Sequence, residues 1–579
     1  MDSFEALYHF ENKYMRELSK LVAQENPKLE AFIGPSSADP DVEKLIEGFS
    51  VLSAGVRKRI DDAFPELTEN ILSRIWAFPL QSIPSTSIVQ FTPKKGHQTV
   101  KSDISAGSVV ASGLGIEFKT CRDLHIEPLT LVSKKLSLSN DNSLIELTFR
   151  YNDEGKQWHP EPFSLYLGSD QNVAAQLRLW MDQYQSESHV LYNESSVRIS
   201  QGIAFTHDYC AKSLVIPHEQ ENYWSVQLLA EYFYLPHVSD FISIDLSQAF
   251  PTLDRPEAGF FTIQLKFDGL LPLTQHDIEQ SFFLNCVPVI NLQQKSAKKI
   301  PFNADTHRYD IPVTQEQIFK LLAVYTDKEP DDEKQGERHV FTPIPEQHRH
   351  IKLGLETNDT VYYEFIIQKD VFEKVEYSLR FYDASTNPLT ETHYVNFACD
   401  YLALHNHAQT LAVREINRPG IDTSSLWSVQ NITPATPSYP AITNSHIHWR
   451  LMDQLSFNPV SFNHIQAVKQ TIQGFNLHSA NNAPLARKLQ QQIDSLSAIQ
   501  YRPVDRLFKG QVKRGIQLEF TLDETHFENT GAAYVFAEVL AHFFSFAIAE
   551  NSFLLTRIIV KGTGETWSLP DIPGSRKMM

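Results

Sequence analysis

The sequence predicts a multi-domain α+β protein with an N-terminal helical region, β-rich middle domains and a C-terminal mixed α/β domain. Three observations predict this. The first ~80 residues repeat apolar side chains at the 3.6-residue helical period. The long middle then switches to short alternating runs bounded by turn residues. The last ~140 residues alternate the two patterns. The length of 579 residues exceeds what one hydrophobic core holds, so ~3–5 domains are expected. An apolar fraction of 42% with 37 Phe supplies material for several packed cores and argues against disorder. The divisions expected are 1–83, 84–328, 340–430 and 431–579.

In the helical region, Phe4, Leu7, Tyr8, Tyr14, Leu18, Leu21 and Val22 line a first amphipathic helix. "GPSSADP" breaks the chain, and "DPDVEKLIEGFSVLSAGVRKRIDD" opens a second. Asp39 suits the N-cap and Pro40 the first turn. Val42, Leu45, Ile46, Phe49, Leu52 and Val56 share one apolar stripe, which Ile60 extends. Pro65 opens a third helix with Leu67, Ile71, Leu72, Ile75 and Trp76, and Pro79 and Pro84 end helix formation. Three such helices bury little alone, so their stripes call for other helices to pack on. The six stripe residues from Val42 to Val56 are therefore the candidate interface for packing on other helices, within the chain or of a partner.

Strands are expected at "TSIVQFTP", "NSLIELTFRYND", "SVRISQGIAF", "FISIDL", "FFTIQLKFDG" and "SFFLNCVPVINL", with helices at "NVAAQLRLWMDQYQ" and "ENYWSVQLLAEYFYLP". "EPDDEKQGERH" has little to bury and reads as a loop or linker. "HIKLGLE", "TVYYEFIIQ" and "VEYSLRFYDA" are the next strands. After a second break at "NRPGIDTSS" and "NITPATPSYPAIT", helix "HIQAVKQTIQGF" and strands "GIQLEFTLDE" and "LTRIIVKG" follow. The run "AAYVFAEVLAHFFSFAIAENSFLL" has the apolarity of a membrane span. Glu538 and His542 on one of its faces are costly in lipid, so a buried core helix is the better expectation.

The formal charge of −19 speaks against nucleic acid as a main partner. Cys121, Cys210, Cys286 and Cys399 lie far apart and read as reduced, buried thiols. The start "MDSFEALYHFENKY" lacks the basic and apolar regions of a secretory signal. No phosphate-binding loop, dinucleotide fingerprint or nucleophile elbow occurs. His218–Glu219 begins like a zinc-protease helix, but position 222 is Asn. His405 and His407, two apart, could share a face and hold a metal; they carry the alternative reading, a hydrolase or nuclease with an unrecognised site. His446 and His448 repeat that spacing. A β-rich module binding carbohydrate or protein on its aromatics is a third reading. No motif calls for a metal or cofactor, and the leading expectation is not an enzyme.

The order of several segments resembles one family. "DPDVEKLIEGF" with the following Leu52, Pro65, Leu67, Pro84 and Ser85 is similar to the opening of the TssF family, also called VasA or ImpG. "LLAEYFYLP" (Glu231, Tyr232, Phe233, Pro236), "LNCVPVINL" (Asn285, Cys286, Pro288, Asn291) and "HWRLMDQLSFNPVSF" (Trp449, Leu451, Ser456, Asn458) continue the resemblance in order. Arg514–Gly515, Phe527, Phe543–Phe544 and "NSF" (Asn551–Phe553) complete it across nearly the whole chain. Departures include Gln293 and the 397–410 segment.

The resemblance implies a structural component of the type VI secretion baseplate wedge, similar to a wedge protein of contractile phage tails, that supports sheath and tube assembly. It implies TssG, a second TssF copy, TssK and TssE as partners, together with the VgrG hub and the sheath. An indirect link to the inner-membrane complex through TssK is implied, with no direct insertion into the membrane. The location implied is cytoplasmic, at the inner face of that membrane in the assembly. Gly48 in the second helix is expected to allow close approach by another helix. Trp449, Phe543 and Phe544 are expected in the core, and Asn285 and Asn291 are expected to satisfy backbone groups at strand ends.

Overall fold

The computed structural model describes residues 4–25, 41, 44–55, 71–72, 76–94, 101–152, 161–192, 195–198, 213–217, 223–246, 259–303, 306–327, 338–344, 360–369, 375–385, 387–389, 394–420, 426–442, 445–454, 464–476, 482–508 and 511–576. The principal helices are α1 (Phe4–Glu25), α2 (44–55), α3 (Gln171–Leu179), α4 (Trp224–Tyr234), α5 (Gln275–Glu279), α6 (Ser445–Gln454), α7 (Ile465–Gly474), α8 (Ala483–Asp494) and α9 (Thr530–Phe544). They join several β-sheets in a mixed, multi-domain α+β fold.

Most of the expected strands form, with "SVRISQGIAF" described only over Ser195–Arg198, and their pairing ignores sequence order. One six-stranded sheet runs Ile416–Pro419, Val109–Ser112, Glu117–Thr120, Cys286–Ile290, Thr86–Pro93, Trp427–Asn431. Thr86–Pro93 is its pivot, paired on one side with 286–290 and on the other with 427–431. Its inward residues Val89, Phe91, Phe118 and Val429 are buried together with Trp427. Asn285 interrupts the run before this sheet in the left-handed region at φ 57°, so it separates Phe283–Leu284 from Cys286–Ile290. Asn291 satisfies backbone groups: its Nδ2 donates to the Glu117 carbonyl and its Oδ1 accepts from His405 N–H.

A five-stranded sheet contains Asn142–Tyr151 beside Gly259–Asp268, and α3 packs over its core. The helix expected through residue 185 stops at Leu179 and widens into a π-turn over Trp180–Tyr184. That turn presents Asp182 and Gln183 to the Tyr534 hydroxyl. Further along, residues 329–337 of the expected linker lie outside the described residues, but Arg338–Val340 returns to pair with Tyr325–Asp327 within one sheet. The "HIKLGLE" strand also lies outside them. An aromatic cluster of Phe302, Tyr309, Phe341, Phe381 and Phe397 closes the core there.

The C-terminal sheet pairs Leu496–Phe508 antiparallel with Gln511–Leu522, which runs parallel to Phe553–Val560. A parallel pair needs a crossover, and α9 supplies it. Asn529 caps α9 by accepting from Ala532 N–H. The helix ends at Phe544, and a 3-10 turn over Ser545–Ala547 leads toward the strand, so the apolar run is not one continuous helix. The stretch Thr530–Ala547 is apolar enough to cross a membrane, yet 83% of it is buried within the protein. It sits at the centre of the largest core, which draws Trp76 and Phe78 from the N-terminal side, Leu229 and Phe233 from α4, and Phe475 from the α7 end. Phe543 and Phe544 are fully buried, whereas Trp449 on α6 is half exposed, contrary to its expected core role. Cys121, Cys286 and Cys399 are free thiols; Cys210 lies outside the described residues.

Candidate partner interface

The second helix folds as its periodicity demands, but its large apolar side chains face outward. Leu45 is 71% exposed, Phe49 56% and Leu52 69%. At 100° per residue, positions 45, 48, 49 and 52 share one face of α2. Ile46 is half-buried at its edge, and Val42 and Val56 lie outside the described residues. The other side carries Ser50 and Ala54, both fully buried, and Ser53, whose hydroxyl donates to Glu11 Oε2 of α1 at 2.9 Å. Ser50 donates into its own helix, to the Ile46 carbonyl at 2.7 Å. α2 therefore meets α1 through small and polar residues. On α1, Tyr14 and Leu18 are likewise exposed.

Gly48 stands in the middle of this outward face. A Cβ placed there would meet nothing within 4 Å. Gly in a helix interior costs about 1 kcal/mol relative to Ala, and no packing among the described residues offsets that. Leaving a Leu or Phe in water forgoes roughly 1.5–3 kcal/mol each. Three such side chains on one helix face form a surface whose burial by another chain is favourable.

The residues that could suggest chemistry have structural partners. His407 N–H donates to His405 Nδ1 at 3.2 Å, and among the described residues no third ligand joins the two rings. His448 is buried with Nε2 2.9 Å from the Ile442 carbonyl. His218 and Glu219 lie outside the described residues. Glu231 accepts from Val215 and Ile216 N–H and from Gln227 Nε2 while buried, so it organises backbone. Burial pushes its carboxyl pKa up, against those same hydrogen bonds. Gly515 is required sterically, because a Cβ there would fall 2.5 Å from the Phe553 ring.

Sequence spacing gave no sign of the cluster of His125, Glu127 and Glu161, whose members come together only through folding. His125 Nε2 lies 3.0 Å from Glu127 and 3.2 Å from Glu161, and Nδ1 lies 2.5 Å from Asp103. Lys101 Nζ already reaches Glu127 at 3.0 Å and Glu161 at 3.5 Å. Burial works against the imidazolium, but the carboxylates outweigh it and raise the His125 pKa. The arrangement is an internally paired network of three carboxylates and two basic groups.

A fold of several interleaved sheets, with the His125 cluster internally paired and an apolar helix face turned outward, has the build of a structural scaffold protein. The family profile described as "Type VI secretion system, TssF" matches residues 1–576. The chain belongs to the TssF family of the type VI secretion system. It is similar to type VI secretion system component TssF1 of Pseudomonas aeruginosa, with 23% identity over 630 residues covering 98% of each chain. Its fold matches a chain in the cryo-electron microscopy structure of the type VI secretion system TssK-TssF-TssG baseplate subcomplex. That match has a TM-score of 0.72 at 20% identity and covers 92% of this chain and 99% of that one. It also matches a chain in the baseplate complex from the type VI secretion system, with a TM-score of 0.59 at 19% identity over the full length of both.

Proposed function

We propose that this TssF-family chain is a structural subunit of the type VI secretion baseplate, working as a rigid bracket that holds partners in register. One chain of similar fold belongs to a TssK-TssF-TssG baseplate subcomplex and another to a baseplate complex. The observation that carries the docking surface is the polarity of α2: Leu45, Phe49 and Leu52 exposed, Ser50 and Ala54 buried. Helices of TssG and of a second copy of this chain are the proposed cover for that face, with Val42, Ile46 and Val56 extending it. Docked there, the large side chains leave water, and Gly48 lets a helix approach closely. An obligate contact of this kind buries ~2,000 Å² or more in total.

TssK and TssE are proposed to join the wedge, which then meets the VgrG hub and the sheath; TssK links it to the inner-membrane complex. The working location is the cytoplasmic face of that membrane, and α9 takes no part in membrane insertion. The function is geometric and the proposal assigns no catalytic step. Co-expression with TssG tests it. A stable complex that Phe49→Asp abolishes is the expected result; a complex indifferent to Phe49→Asp and Leu45→Asp removes α2 from the interface.

A further inference from the structure

A cleft of about 540 Å³ opens between the end of α4, the α8 helix and the 525–528 loop. Its walls carry the aromatic rings of Tyr232, Tyr439 and Phe527. The polar groups divide into two sets. At the mouth, Glu528 is satisfied: it accepts from Asn172 Nδ2 at 2.6 Å and pairs with Lys488 Nζ at 3.1 Å. Deeper, Asp240 is 8% exposed, and its closest charged partner among the described residues is His237, with Nδ1 3.8 Å from Oδ2. That separation exceeds a hydrogen bond. His237 Nδ1 is itself buried without a hydrogen-bond partner among the described residues. Gln492, 5% exposed, spends its Nε2 on the Tyr232 hydroxyl and leaves Oε1 buried with no partner among the described residues. Among the described residues, the cleft wall thus carries a carboxylate with no hydrogen-bond donor closer than His237 and an amide oxygen without a partner, beside aromatic faces.

Buried acceptors of this kind call for a donor, and a carboxylate calls for a cation. A guanidinium carries five N–H donors in a plane, enough to serve a carboxylate and a separate carbonyl together, and its flat face stacks on aromatic rings. We infer that this cleft binds an alkylguanidinium group, its charged end on Asp240 and Gln492 and its alkyl stem along Tyr232 and Tyr439. Burial raises the Asp240 pKa against the opposing charges of His237 and Arg178, and burial lowers the His237 pKa against Asp240 and Asp170. The group arrives either as a free small molecule or as an arginine side chain of another protein.

Isothermal titration of the full chain with butylguanidinium and with its neutral isostere butylurea tests the assignment. Butylguanidinium should bind, with butylurea and the Asp240→Asn protein each weakening binding by about tenfold or more. A blocked Gly-Arg-Gly tripeptide that binds as tightly identifies an arginine side chain as the occupant, and its exclusion identifies a free small molecule. If Asp240→Asn does not fold, Gln492→Leu replaces it, and the butylurea comparison needs no variant. Equal binding of butylurea, undiminished binding by a folded variant, or no butylguanidinium binding overturns the inference.

Discussion

Arg178 places Nη2 2.5 Å from Oε2 of Glu538 across 360 residues of sequence, with the arginine side chain fully buried. This pair joins α3 to α9, the two helices where the middle of the chain meets its C-terminal core. Breaking a buried pair on one side strands a charge and costs about 3–5 kcal/mol, whereas replacing both partners by apolar groups is close to neutral. Arg178→Met alone should therefore lower the thermal unfolding temperature sharply. Arg178→Met combined with Glu538→Met should recover most of that loss in the same scan.

Beside this pair, burial and then the charge of Glu538 raise the Asp182 pKa to about 7, against Arg178 and the Tyr534 hydrogen bond. The folded value lies above the unfolded one. The stability this group contributes is thus fully present below about pH 4 and is lost as pH rises to about 7. Asp182→Asn can still accept from Tyr534 and cannot ionise. Its stability advantage over wild type should grow between pH 4 and 7 and level off above, reaching about 2 kcal/mol once solvent screening is allowed for. Urea unfolding across that pH range measures it; a constant difference at all pH values refutes the assignment.

Two glycines make opposite predictions. A Cβ on Gly531 would fall 2.5 Å from the Ala175 carbonyl carbon and the Gln176 nitrogen, so α9 and α3 touch backbone to backbone. Gly531→Ala should destabilise the isolated chain by about 1–3 kcal/mol. Gly48→Ala, with open space around it, should stabilise α2 by up to about 1 kcal/mol while weakening complex formation with TssG. Unfolding of the free protein and pull-down of the complex separate the two effects.

The α2 face gives the last prediction. Leu45→Asp and Phe49→Asp alter exposed side chains and should leave the melting temperature of the free chain within about 1 °C. The same variants should abolish co-purification with TssG and leave sheath assembly defective. Ala54→Leu, at a fully buried site, should instead disturb the α1–α2 contact and lower stability.

Much of the local structure was legible in the sequence because hydrophobic period is a local property. The alternation in "NSLIELTFRY" gives the strand Asn142–Tyr151, and Pro236 lies just beyond the end of α4. The stripe of α2 was legible too, but not which way it faces. That depends on Ser50, Ser53 and Ala54 finding α1, and a helix with small residues on one side and large ones on the other can turn either inward. Trp449 shows the same limit: an aromatic at an apolar position reads as core, yet α6 leaves it half exposed.

The sequence by itself determined the helix and strand segments, the buried character of the α9 run and the family resemblance, since each rests on residues close together or in a recognisable order. Tertiary structure alone decided that Thr86–Pro93 lies between strands from residues 286–290 and 427–431, that Arg178 meets Glu538, and that Asp240 shares a cleft wall with Gln492. The physical reason is that side-chain period specifies which face is apolar, whereas the partner of that face is chosen by packing between segments hundreds of residues apart, which no local pattern encodes.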